Sequence, residues 1–214
     1  MLRSLAFLIL ATACGAAAAQ GGDLPDFGST ADAAITRTQE ARLGRSVVAQ
    51  LRNAGVVMED PQLTEYIQGV GARLAGHASD GLQDFEFFIV DDPSINAFAL
   101  PGGYIGVNSG LLLTSDSESE LAGVLAHEVA HVTQRHIARS IYDSQRTSMI
   151  SLATMLAAVL LGAATDMGGD ATAGLITAAQ AASAQRQINF TRANEHEADR
   201  IGIETLSSAG FDPT

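Results

Sequence analysis

The 214-residue sequence contains no lysine: all 12 of its basic residues are arginine, set against 24 Asp plus Glu for a formal net charge of −12. A chain this acidic lacks the basic surface that sequence-independent contact with phosphate backbones requires, so nucleic acid is excluded as a partner. Charged residues make up only 17% of the chain and hydrophobic residues 47%. That balance excludes a disordered polar tail and, on average, a membrane bundle. It leaves one domain, long enough to bury a core. Cysteine is nearly absent, Cys14 being the only one.

Cys14 belongs with the N-terminus. Met1-Leu2-Arg3 is a short basic start, Ser4 to Ala13 an apolar run, and Ala16 to Ala19 a small-residue cleavage site. This is the layout of a secretory signal peptide over residues 1–19, followed by a flexible, Gly- and Pro-containing lead-in over 20–30. Two other readings compete with it. The apolar run is short for an uncleaved anchor helix. A lipoprotein acylated at Cys14 would carry Leu three residues before the cysteine, where Ala11 stands. With the signal removed the exported chain has no disulfide, so its core or a metal must hold it.

Residues 31–214 read as one α+β domain, mainly helical. Thr30 to Asn53 has helical spacing, with Ile35, Leu43, Val47 and Leu51 on related faces. Asp60-Pro61 opens a second helix, Asp as N-cap and Pro at the first helical position. Gly69-Val70-Gly71 lies inside that helix. No strand precedes it and Leu74 stands at the third glycine position of a dinucleotide fingerprint, so it reads as close helix packing. Phe85 to Val90, Asn96 to Leu100 and Tyr104 to Val107 read as strands, the last two flanking Pro101-Gly102-Gly103, which predicts a small antiparallel sheet. Ser117 and Glu120 form a capping box for a long helix running to about Ile141. Residues 147–185 read as an apolar helical hairpin, short for membrane spans and suited to soluble packing or peripheral membrane contact; a spanning hairpin is the competing reading. Arg186 to Leu206 reads as a further, charged helix, and Gly210-Phe211-Asp212-Pro213 as the lead into another element, as though the C-terminus were truncated.

Chemistry concentrates in His127-Glu128-Val129-Ala130-His131. Four residues advance a helix by about 400°, so the two imidazoles lie about 40° apart on one face and can reach one Zn²⁺. Glu128, beside the first histidine, can take the proton of a water whose pKa the metal lowers, while the metal polarises the scissile carbonyl. The surrounding helix is apolar, from Leu121 to Val132, and two histidines and a glutamate are costly to bury there without a partner. A catalytic zinc needs a third protein ligand. Glu195 is the candidate, with Asp199 one turn further along the same face, where it can accept the N–H of a ligating histidine. A plain charged helix face remains the alternative for this pair. His196 and Glu197 are expected to point into solvent, His77 to be an ordinary helix-end histidine, and His136 to lie off the metal face.

His127-Glu128-x-x-His131 followed by Glu195-x-x-Ala198-Asp199-x-x-Gly202 resembles the gluzincin metallopeptidases of the CAAX-prenyl-protease and HtpX-like family, in particular their soluble periplasmic branch. Asn96 to Gly103, Glu120-Leu121-Ala122 and Arg135-His136 add to the likeness, which covers about Thr36 to Thr214. The resemblance implies a zincin-type fold holding one zinc per chain through His127, His131 and Glu195. It implies Glu128 as general base, Asp199 behind the ligands, and Asn96, Ala97, Phe98 and Ala99 lining the substrate cleft. It further implies an endopeptidase acting on misfolded or stalled envelope proteins, in a branch whose members continue into a tetratricopeptide-repeat region. The rival from another class is a chaperone or assembly factor that keeps the zinc site and cleaves little.

Overall fold

The computed structural model describes residues 30–78, 84–149 and 169–214. The signal peptide and most of the lead-in therefore lie outside the described residues, as does the centre of the 147–185 hairpin.

The first predicted helix is two, α1 (Thr30–Ala34) and α2 (Arg37–Asn53). Thr36 caps the second. Its hydroxyl accepts the Gln39 N–H while the Gln39 side chain accepts the Thr36 N–H, a reciprocal box that makes a new helix start cheaper than continuation. After a two-residue strand β1 (Val57–Met58), α3 (Pro61–Ala75) begins as expected, Asp60 accepting the N–H groups of Gln62 and Leu63. Its stripe of Ile67, Val70 and Leu74 is buried. Gly71 does serve close packing: a Cβ there would lie 2.2 Å from the Phe87 ring.

Strands β2 (Glu86–Val90), β3 (Ala97–Leu100) and β4 (Tyr104–Asn108) join β1 in the order β1-β2-β4-β3. The sheet is mixed, which corrects the expectation of an antiparallel one. The β3–β4 hairpin forms as predicted, but β4 lies between β3 and β2 and runs parallel to β2, Glu86 opposite Tyr104 through Val90 opposite Asn108. Turn chemistry dictates the hairpin; which strand then docks on β2 depends on the shared core. Phe87, Ile89, Ile105 and Val107 project from one face into that core, where they meet α3 and the helix α5 (Glu118–Thr133). A short helix α4 (Ser109–Thr114) precedes α5. Ser117 caps the Glu120 N–H, and Glu120 reaches back to the Asp116 N–H, one residue beyond the box foreseen.

α5 does not run on to Ile141. It stops at Thr133, and α6 covers 136–149 after a break at Gln134-Arg135, where Arg135 adopts a left-handed φ of 53°. The second arm of the expected hairpin, from Gly169, and the charged helix expected separately are one 40-residue helix, α7 (Gly169–Ser208). Among the described residues no helix is long and apolar enough to cross a membrane.

Candidate metal centre between two packed helices

α5 carries the paired histidines and α7 crosses it. The two helices are in close contact at Gly202, where a Cβ would lie 3.1 Å from the backbone N and Cα of His127. Ala198, one turn earlier on the same buried stripe, is wholly buried. Small residues on this stripe bring the flanking carboxylates to the histidines. Nε2 of His127 and Nε2 of His131 are 2.9 Å apart, and Oε2 of Glu195 lies 3.4 Å from the first and 3.7 Å from the second. The three residues thus offer ligand atoms all within 4.8 Å of one another. On its other side His127 Nδ1 is 3.0 Å from Oδ1 of Asp199. A proton shared there leaves the His127 Nε2 as a lone pair. Two imidazole nitrogens and a carboxylate converging on one point are a donor set that suits zinc, and without a cation their lone pairs would repel.

Glu128 is half-buried beside this point, and its carboxyl is pushed up to about 7. Burial is the main cause, the Glu195 charge adds to it, and His127 and a backbone hydrogen bond from Ala99 oppose it. The Ala99 bond ties the site to the sheet. β3 is an edge strand, and the Asn108 N–H donates to the Asn96 carbonyl. In an antiparallel ladder this alternation turns the backbone groups of Ala97 and Ala99 away from β4, towards the open edge. Of the four cleft residues named from sequence, Ala97 and Ala99 thus present backbone to the site. Asn96 is exposed at the strand's start, and Phe98 packs edge-on to Phe88 on the other face, with ring centroids 6.1 Å apart.

Two expectations are overturned here. His136, buried on α6, is not off the metal face: its Nδ1 lies 2.8 Å from Nδ1 of His131. Glu197 is not a solvated side chain either. It meets His136 Nε2 at 3.2 Å and accepts from Arg139 at 2.7 Å, and the Arg139 hydrogen bond is the chief reason its carboxyl is held below the usual range. The reading of His136 assumes that α5 is continuous to Ile141; that of Glu197 considers only its own helix and not the α6 residues that meet it. His196 is exposed, as expected. Burial, with His127 and His136 nearby, lowers His131 to about 4, and burial also lowers His136 against the pull of Glu197. A cavity of about 480 Å³ opens between α6 and α7 beside these histidines, bordered by Ile137, Ser140, Thr191 and Glu195 among others.

The model of peptidase family M48 matches residues 61–214, which contain every residue of this centre. The chain belongs to peptidase family M48. M48 metallopeptidases are metal dependent, typically on zinc, and the His127, His131 and Glu195 group is of the kind such a domain needs. A Vibrio cholerae protein is 47% identical over 98% of this chain and 43% of its own length. The beta-barrel assembly-enhancing protease of Escherichia coli (strain K12) is 43% identical over 89% of this chain and 38% of its own length. The mitochondrial metalloendopeptidase OMA1 of Schizosaccharomyces pombe is 37% identical over 70% of this chain. The chain therefore spans less than half the length of these M48 relatives.

Proposed function

We propose that this chain is the catalytic domain of an exported, zinc-dependent endopeptidase that cleaves misfolded or stalled envelope polypeptides. The observation that carries the reading is the convergence of His127, His131 and Glu195 within 4.8 Å, next to a half-buried Glu128. His127, His131 and Glu195 hold one Zn²⁺. When bound, zinc supplies Lewis acidity, polarising the scissile carbonyl and lowering the pKa of the attacking water. Glu128 takes the water's proton and hands it to the leaving amide nitrogen. Its raised pKa suits both halves of that task near neutral pH. The Ala99 N–H steadies its carboxylate, and Asp199 keeps the His127 Nε2 free of a proton.

A substrate in extended form pairs with the open edge of β3 through the Ala97 backbone and the Ala99 carbonyl, the Ala99 N–H being held by Glu128, and this brings one of its peptide bonds to Glu128. Such a site reads backbone more than side chain and so takes segments that are not already folded. The signal-peptide layout supports a periplasmic location, and the name of the Escherichia coli relative supports envelope proteins as the substrate class. The test is to purify the protein, measure its zinc content, and compare cleavage of an unfolded reporter by wild type and Glu128→Gln. One zinc in each and cleavage only by wild type is the expected result. Zinc in both with cleavage by neither, together with binding of unfolded barrel proteins, would replace the enzyme by an assembly factor.

A further inference from the structure

The two histidines of the metal centre are supported differently. Nδ1 of His127 meets a carboxylate directly, at Asp199. Nδ1 of His131 meets another imidazole, that of His136, with the rings 4.8 Å apart and inclined at 80°. Behind His136 stands Glu197, and behind Glu197 stands Arg139. None of these three has a task in the chemistry above, yet His136 is 3% exposed and bonded through both ring nitrogens.

The chemistry of the groups decides which way the protons lie. Glu197 is ionised beside Arg139 and can only accept, so the N–H of a neutral His136 belongs on Nε2. Its Nδ1 is then a lone pair. At 2.8 Å, that lone pair forms a hydrogen bond only if His131 carries its own proton on Nδ1. His131 is thereby left with a bare Nε2 pointing at the place it shares with His127 and Glu195. The reverse assignment sets a bare ring nitrogen against a carboxylate and leaves a partly buried acceptor pair without a hydrogen, which is costly.

We propose that His136 is a positioning residue for the metal centre: backed by Glu197 and Arg139, it fixes the tautomer and ring orientation of His131 so that Nε2 faces the metal. The proposal rests on the reading of His131 as a ligand. It also explains the break after α5. On a continuous helix, residues five apart differ by about 500°, which is about 140° around the axis, and could not face each other. The left-handed turn at Arg135 brings His136 back over His131. The Arg135 guanidinium is locked by Glu40 at 2.8 Å, by Asp32 and by the Ile35 carbonyl at 2.8 Å.

The test combines zinc affinity, by competition with a chelating dye, with ¹⁵N spectra of the histidine rings of the zinc-loaded protein. In the wild type His131 should be protonated at Nδ1 and His136 at Nε2; a proton on Nδ1 of His136 overturns the proposal whatever any variant does. His136→Phe, which keeps the ring and loses the acceptor, should weaken zinc about 10- to 100-fold. His136→Asn, which restores an acceptor, should recover part of that loss, and Glu197→Gln should show a smaller loss. A His136→Phe protein that is folded by circular dichroism and binds zinc like wild type overturns the proposal. His131→Ala is the reference: if it leaves zinc binding intact, the ligand reading has failed, and not the positioning step alone.

Discussion

Glu128 is placed where a carboxylate is uncomfortable, and that discomfort is measurable. Its neutral isostere should keep the metal and lose the chemistry: Glu128→Gln is expected to retain one zinc while cleavage falls by about 10²- to 10⁴-fold, the usual worth of a general base. Zinc stoichiometry and reporter cleavage check both halves. In the zinc-stripped protein the same side chain has a second consequence. Its pKa in the fold is about 7 against an ordinary 4.5, so folding is most favoured where the carboxyl is protonated in both states. The Glu128 contribution to stability is full below about pH 4.5 and is lost as pH rises through about 7, because the folded state then holds a buried charge that the unfolded state solvates. The loss is on the order of 3 kcal/mol from the size of the shift. Thermal melts of the chelator-treated protein from pH 5 to 9 should show wild type losing stability relative to Glu128→Gln as pH rises towards 7, the lowered His131 acting in both proteins alike. A wild-type curve parallel to that of the variant would count against the burial of Glu128. The pairs His127/His131 and Glu195/Asp199 are legible in the sequence because helical spacing puts each pair on one face, and Glu128 because it adjoins the first histidine; that the two pairs meet is not. His136 and Glu197 are not, because they meet only after the chain turns.

Packing at the level of elements depends on how closely α7 lies on α5. Gly202→Ala would put a methyl 3.1 Å from two backbone atoms of His127, which cannot move without shifting the helix. Overpacking of this kind costs about 1–3 kcal/mol, against a gain in helix propensity of about 1 kcal/mol. The expected net result is a lower melting temperature and weaker zinc binding, since Glu195 and Asp199 are carried on the displaced helix. Melting curves with and without zinc check it, and unchanged zinc affinity would dissociate the small-residue contact from the metal centre. The break between α5 and α6 has a second anchor. Arg135 and Glu40 have side chains each 8% exposed and pair at 2.8 Å, across the interval from α2 to the end of α5. Arg135→Met leaves Glu40 buried without its partner, and loss of about 3–5 kcal/mol is expected on urea unfolding. Nothing in the sequence marks Arg135 and Glu40 as a pair. The Ser117 cap of the Glu120 N–H, by contrast, is local and readable.

For the molecule as a whole, the core formed by α3, α5 and one sheet face has to stand without a disulfide. Phe87 is 1% exposed at its centre. Phe87→Ala is therefore expected to cost about 3–5 kcal/mol, enough to consume much of the stability of a domain this size. Zinc should be the counterweight. A ligand bound only by the folded state, present at about a hundred times its dissociation constant, adds about 2.7 kcal/mol. Melting should rise with zinc and fall with chelator in wild type and in Glu128→Gln, and be insensitive to both in His127→Ala. A melt of His127→Ala that still rises with zinc would place the metal elsewhere.

Local spacing determined most helical segments though not where they break, the caps at Asp60 and Ser117, the β3–β4 hairpin, the paired histidines and the carboxylates one turn apart. Each of these needs only a few neighbouring residues and the geometry of one element. The parallel pairing of β4 with β2, the turn at Arg135 and the docking of α7 on α5 were decided by tertiary structure. Each brings together residues distant in the chain, and the gain comes from a shared core or a buried ion pair that no single segment contains. The candidate metal centre stands at the junction of the two: its donor residue types were written in the sequence, and the side chains that pack behind them were supplied by the fold.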